Sequence, residues 1–327
     1  MSADNIRVLV LGYGEMGHAM EFLLGQRVQL DIWEKFPQPD FASVHLEAAA
    51  PDADIVLFCL PVNPHREVVE AIAPLLKPDC ICLSIAKGLD EAGQTAAQIF
   101  AAVLGERQPC ALLYGPMISE EIRAGRYAFG QVGCRTEGLY ARVRGLFAGT
   151  RLFTEYTSDI TGISWSVILK NVYAMVFGMA DELRLGDNMR GYLAVASLHE
   201  LDQIVRAMGG RSGSPFHLAG LGDLIATATS EESHHHQLGR MLARGETAGG
   251  GNALTEAFRR LALLRDDRPF RKFVIARALL LCSALSAPYY VILARSHDTG
   301  VAGQLGFFII AGGLASSLSA PFCGRMA

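Results

Sequence analysis

The sequence predicts an α/β protein in which a doubly wound parallel sheet over residues 1–157 precedes an all-α region over 158–245. Three observations predict it. A glycine triplet stands between a β-rich run and a helical pattern near the start of the chain. Further apolar runs recur through the first half at intervals that leave room for helices. After residue 158 the apolar period becomes that of a helix. At 327 residues the chain is long enough for two domains, each with its own core.

The first strand is read over Ile6–Leu11 and stops at Gly12. Gly12-x-Gly14-x-x-Gly17 then opens a helical pattern that runs through Leu24. The chemistry asks for each glycine: Gly12 for the tight turn, Gly14 for close approach of a pyrophosphate, Gly17 for close helix–strand packing. Phosphate would sit on the free N–H groups at the helix start, and Tyr13, Glu15 and Met16 are candidate cofactor contacts there. This is the pattern of a Rossmann dinucleotide site. The next strand, "VQLDIW", ends at Trp33 with Glu34 beside it. A carboxylate there accepts from the adenosine ribose hydroxyls and repels a 2′-phosphate, so NAD is expected over NADP, although Lys35 is adjacent.

"ADIVLFCLPV" is nearly all apolar, as a parallel strand covered on both faces should be. "CICLSIAKG" and "CALLYGPM" follow. Ligands of such sheets bind at the carboxyl ends of the strands. Pro61-Val62-Asn63, Lys87-Gly88 and Gly115-Pro116 all lie at such ends, which marks Pro61, Lys87 and Gly115 as candidate cofactor or substrate contacts. In the helical region Lys170 stands among Ser166, Ala174 and Phe177 at helical spacing, poor company for a solvent-facing lysine. Such a lysine either snorkels to water or takes part in chemistry. Asp223, in "LAGLGDLIATATS", is the second polar point. A lysine and an aspartate beside a nicotinamide would form a proton-transfer pair for carbonyl reduction.

Residues 5–245 resemble the NAD(P)-dependent glycerol-3-phosphate dehydrogenase family, through "GYGEMG", "SIAKGL", "YGPMISEE", "LKNVYAMVFGMADELRLGDNMR" and "LAGLGDLIATATS". The resemblance implies hydride transfer between the nicotinamide and C2 of dihydroxyacetone phosphate. A homodimer is the assembly expected of the chain, with no motif that points to it. It implies that Lys170 is the general acid and that Lys87 contacts substrate. Asn171, Asp223 and Thr227 match substrate-site residues. Three departures stand out. His234 and His235 occupy the places of an Arg-Asn pair that grips phosphate in the family, and histidine offers neither the fork nor the permanent charge. They are read as a solvated or partly substrate-facing loop. With His236 they make a run of three, but adjacent histidines on a helix cannot all face one ion, so no metal is expected. The segment from Trp33 to Ala53 is short for the family. Met117 stands where a hydroxyl residue is usual.

Beyond Gly245 the resemblance is read as ending. "TAGGGN" and a basic segment fill 246–272. Two apolar runs follow, Phe273–Ala294 with Arg277 as its one charge and Val301–Phe322 with none. Each has the length of a membrane span, and the pair resembles the first helices of a major facilitator superfamily transporter. The basic residues before them predict a cytoplasmic catalytic part attached to the inner or plasma membrane. A net charge of -4 gives no reason to expect nucleic acid. The seven cysteines form no Cys-x-x-Cys pair and read as reduced core thiols.

Overall fold

The computed structural model describes residues 6–230 and 233–245. The expected linker at 246–272 and the membrane-like runs over 273–327 lie outside the described residues.

The chain runs β1 (Arg7–Leu11), α1 (Glu15–Leu24), β2 (Gln29–Trp33), α2 (Leu46–Ala49), β3 (Ile55–Phe58), α3 (His65–Ile72), β4 (Ile81–Ser84) and α4 (Ala96–Val103). It continues with β5 (Cys110–Tyr114), α5 (Ser119–Arg123), β6 (Ala128–Cys134), α6 (Glu137–Leu146) and β7 (Leu152–Thr157). The strands form one sheet in the order β2-β1-β3-β4-β5-β6-β7. The chain therefore reverses direction across the sheet between β1 and β3, and the crevice at that reversal is where ligands of open α/β sheets bind. Alternate residues serve the two faces, as the strand period requires. Val8 and Val10 of β1 join a core with Met20 and Leu24 of α1. Leu9 and Leu11 join the opposite core with Val69 and Ile72 of α3 and Phe100 of α4.

The first five strands are parallel, but β6 runs antiparallel to β5, and β7 is parallel to β6. A parallel crossover needs a dozen or more residues, usually with a helix. The link from Tyr114 to Ala128 holds only the five-residue α5, and it folds back instead.

Among the described residues four α-helices follow: α7 (Ile160–Glu182), α8 (Asp187–Ala207), α9 (Asp223–Thr229) and α10 (His234–Ala243). Asp159 caps α7, accepting from Gly162 N at 2.9 Å and from Arg211 N at 2.8 Å. Ile163 and Val167 pack into the sheet's second core. One and a half turns on, Tyr173 and Phe177 build a separate core with Leu201, Leu224 and Ala228. Lys170 thus stands where the core of the sheet gives way to the core of the helices. That explains its apolar neighbours.

α10 lies against α7 at two glycines. A Cβ on Gly178 would come within 2.0 Å of the His236 carbonyl oxygen, and one on Gly239 within 2.0 Å of the Met175 carbonyl oxygen. Backbone meets backbone here, so neither side can yield. Gly178→Ala is expected to destabilise the protein by about 1–3 kcal/mol, the range for overpacking a close contact. A fall in the thermal midpoint measures it, and an unchanged midpoint would show that the two helices can part without cost.

Candidate active site

The dinucleotide end of the site begins at Gly12, whose φ of +95° is strained for any residue with a Cβ. Its N–H donates to the Trp33 carbonyl at 2.8 Å, tying the turn to the end of β2. A Cβ on Gly17 would come within 2.3 Å of the Gly12 carbonyl oxygen, so the helix can approach the strand only through glycine. The space where a Cβ of Gly14 would stand is open, and no side chain caps the start of α1. An open approach to uncapped N–H groups suits a pyrophosphate. Glu34 accepts from Tyr13 N at 2.8 Å and Phe36 N at 3.2 Å, and its remaining lone pairs can serve ribose hydroxyls. Tyr13, Gly14, Glu15, His18, Glu34 and Phe41 line a cleft of about 580 Å³. These residues fit an NAD-type dinucleotide.

At the substrate end, residues distant in sequence converge on Asp223, which opens α9 directly after a single π-turn over Leu218–Gly222. The Asp223 carboxylate takes two ammonium groups on one oxygen: Lys87 Nζ at 2.7 Å and Lys170 Nζ at 3.2 Å. Lys87 also donates to the Gly115 carbonyl at 3.1 Å. Lys170 donates to Thr227 Oγ1 at 2.5 Å, and Thr227 Oγ1–H donates to the Asp223 carbonyl at 2.6 Å. Lys170 is only 4% exposed and Asp223 3%. Burial pushes the Lys170 ammonium down to about 8, the Lys87 charge pushes the same way, and Asp223 opposes both. A lysine that titrates near neutrality can both give and take a proton, which is what general acid–base work requires.

Several expected residues meet here and others do not. Lys87, Gly115, Lys170, Asp223 and Thr227 form one hydrogen-bonded cluster. Asn171 is half-buried on α7 and makes none of those bonds. Pro61 is not joined to the cluster by a hydrogen bond; its carbonyl accepts from His65 Nδ1 at 2.8 Å. The loop expected at His234–His236 is instead the first turn of α10, capped by Ser233, whose Oγ accepts from His236 N at 3.3 Å. A serine three residues ahead of the last histidine is the local cause. His234 is exposed and His235 half-buried. Burial lowers the pKa of His235, and the Lys170 and His234 charges add to the effect. His236 is buried, with Nε2 2.7 Å from Asp181 Oδ2. Asp181 in turn takes a bidentate pair from Arg190 at 2.6 and 2.5 Å. The three histidines thus have separate environments. Met117 is 5% exposed and packs into the first core of the sheet as an apolar side chain.

Residues 34–139 match the family described as NAD-dependent glycerol-3-phosphate dehydrogenase N-terminus. Residues 159–260 match its C-terminus counterpart. The protein named glycerol-3-phosphate dehydrogenase [NAD(P)+] in Thioalkalivibrio sulfidiphilus is 31% identical over 266 residues, which cover 73% of this chain and 79% of that one. The chain belongs to the NAD-dependent glycerol-3-phosphate dehydrogenase family. The glycerol-3-phosphate dehydrogenase of Rhodospirillum rubrum is 33% identical over 267 residues, 73% of this chain and 75% of its own. The solved glycerol-3-phosphate dehydrogenase of Coxiella burnetii superposes with a TM-score of 0.66 at 25% identity, covering 74% of this chain and 81% of that chain. That of Dunaliella salina shares the fold, with a TM-score of 0.67 at 18% identity over 76% of this chain and 55% of its own.

The match to the glycerol-3-phosphate dehydrogenase C-terminus runs to residue 260, past Gly245 where the sequence motifs end. Two site features of this family member escaped the sequence reading. His65 carries no motif signal, being one polar residue at the start of an ordinary amphipathic helix. Gln131 sits in a glycine-rich run and shows its role only in space, where Oε1 accepts from Ala219 N at 3.1 Å and ties β6 to the turn before Asp223.

Proposed function

We propose that the chain catalyses the reversible interconversion of sn-glycerol 3-phosphate and dihydroxyacetone phosphate with NAD(H), with Lys170 as general acid. The observation that carries this reading is the buried Lys170 ammonium, held by Asp223 and Thr227 beside the carboxyl ends of β4 and β5. When bound, the nicotinamide supplies or accepts the hydride. The chain's residues do the rest. Lys170 gives its proton to the oxygen on C2 during reduction and takes it back during oxidation. Asp223 holds that ammonium in place, and Lys87 presents a second positive charge to the substrate. Family membership, with relatives that bear the enzyme's name, supports the same reaction.

Gly12, Tyr13, Gly14, Glu15, Met16, Gly17 and Glu34 are proposed to hold the dinucleotide. NAD is favoured over NADP, because Glu34 would face a 2′-phosphate and Lys35 is engaged by Glu67 at 2.8 Å. The reading is tested by NADH oxidation with dihydroxyacetone phosphate, using the full chain. Turnover supports it; NADH binding without turnover points to a non-catalytic dinucleotide-binding domain.

The histidines favour a second version, in which the phosphate is held weakly or a different small hydroxy compound is used. Burial and the neighbouring Lys170 and His234 charges lower the His235 pKa and so disfavour its charged form. The double substitution His234→Arg with His235→Asn is expected to lower KM for dihydroxyacetone phosphate about tenfold or more, the scale of one charge-assisted hydrogen bond. No change in KM would mean that these positions do not meet the phosphate.

Membrane attachment through residues 273–327, in the manner of a transporter's first helices, completes this reading. Its support is the two apolar runs of the sequence. A homodimer belongs to it as well. Exposed apolar side chains such as Val172 and Met179 on α7 and Tyr192 and Val195 on α8 are consistent with self-association.

A further inference from the structure

His65 opens α3 and is fully buried, with its ring near those of Phe58 and Phe100, at centroid distances of 5.1 and 6.0 Å. Its two nitrogens are both engaged. Nδ1 lies 2.8 Å from the Pro61 carbonyl oxygen and Nε2 lies 2.9 Å from Ser84 Oγ. A carbonyl can only accept, so Nδ1 carries the proton and Nε2 accepts from the Ser84 hydroxyl. The same Ser84 oxygen accepts from Ala86 N at 3.2 Å. The Ala86 carbonyl accepts from Tyr114 Oη at 2.9 Å. Each donor meets an acceptor along the whole chain of bonds, and the pattern holds only for a neutral imidazole. Burial lowers the His65 pKa to about 4, so the ring stays neutral at working pH.

The geometry matters because of what comes next in sequence. Ala86, gripped at its N–H through Ser84 and at its carbonyl by Tyr114, directly precedes Lys87. Tyr114 directly precedes Gly115, whose carbonyl receives the Lys87 ammonium. The ends of β3, β4 and β5 are therefore joined by one network, with His65 at its buried end.

We propose that His65 is a positioning residue for the reaction: through Ser84 it fixes the backbone at Ala86 and so directs Lys87 onto Gly115 and Asp223. The role in turnover rests on the dehydrogenase reading above; the placement of Lys87 does not. A consequence separates this role from plain core packing. Four groups act on Lys170: the Lys87 ammonium and Asp223 set its charge environment, Thr227 accepts from it, and His235 lies close enough to feel its charge. If Lys87 loses its direction, its push on Lys170 weakens, and Lys170 must titrate at higher pH.

The test uses the full chain with Ser84→Ala, His65→Leu and His65→Gln. Two quantities are read: steady-state KM and kcat for dihydroxyacetone phosphate, and the Lys170 titration by NMR of ¹³C-lysine-labelled protein, assigned with Lys170→Arg. Ser84→Ala and His65→Leu are expected to raise KM about tenfold, the scale of one weakened hydrogen bond to a charged group. kcat should change much less, NADH binding should persist, and the Lys170 titration should move up. His65→Gln, whose amide offers both donor and acceptor atoms, should restore most of both. Ser84→Ala removes a single oxygen and keeps the backbone, so it reports even if His65→Leu does not fold. A wild-type KM with an unmoved Lys170 titration in Ser84→Ala would overturn the proposal, as would a loss of thermal stability with neither quantity moved. Absence of turnover in the unsubstituted protein would count against the dehydrogenase reading alone, since the Lys170 titration decides the role of His65 without it.

Discussion

Lys170→Ala is expected to cut turnover by roughly 10²–10⁴-fold, the usual contribution of a positioned general acid, while leaving NADH binding intact. The other ammonium of the cluster, Lys87, is held by Asp223 and the Gly115 carbonyl, and Thr227 is a far weaker acid. The pH dependence of the unsubstituted enzyme follows from the lowered pKa of about 8. Reduction needs the ammonium, so kcat/KM for dihydroxyacetone phosphate should fall as pH rises through about 8. Oxidation needs the free amine, so its rate should rise through the same region. Turnover surviving in Lys170→Ala, or a reduction rate flat across that range, would remove Lys170 from its role.

The same shift has a consequence for stability. The folded protein holds the Lys170 proton more weakly than the unfolded chain, because burial disfavours the charge. That penalty is fully present below about pH 8 and disappears as pH rises past the ordinary lysine value of 10.5. Lys170→Met, which keeps the volume and drops the charge, should therefore melt no lower than the unsubstituted protein at pH 7. A lysine kept at a cost to the fold is what a working side chain looks like. The melt also shows that lost activity in such a variant is not lost structure.

Much of this was legible in the sequence because it rests on local rules. The glycine loop announces itself, since a turn with positive φ and a helix packed against a strand each demand glycine at fixed spacing. The parallel strands β3 and β4 read as apolar runs because both their faces are covered. Lys170 stood out by its neighbours alone, and Asp223 by its place between glycines. What stayed hidden is what depends on partners distant in the chain. β6 holds Gly130 and Gly133, so its composition argues against a strand, and packing settles the matter. The start of α10 at His234 was hidden by a polar run in which Ser233 looked like one more loop residue. The reach of Lys87 to Asp223 crosses 136 positions, and no spacing rule spans that distance. His65 was invisible for the same reason: its effect is carried by Ser84 and Ala86.

Asp223→Asn is the substitution that tests whether the two lysines act as one charged unit. One carboxylate oxygen takes both ammoniums, so the change removes the single negative charge between them while keeping the shape. Lys87 then loses its charged anchor and keeps the Gly115 carbonyl, and Lys170 loses the one influence that raises its pKa. The expected result is a fall in kcat/KM of about 10- to 100-fold, the scale of losing a charge-assisted hydrogen bond worth about 1.5–3 kcal/mol. The alkaline limb of reduction should move to lower pH as well. Lys87→Met supplies the opposing case. It removes a charge that lowers the Lys170 pKa, so the same limb should move to higher pH. Opposite displacements from two neighbours of one lysine cannot come from general loosening of the fold, which would move both variants the same way. If both limbs stay where they are in the unsubstituted enzyme, the proton in the reaction is not the one on Lys170, and the assignment of the general acid must change.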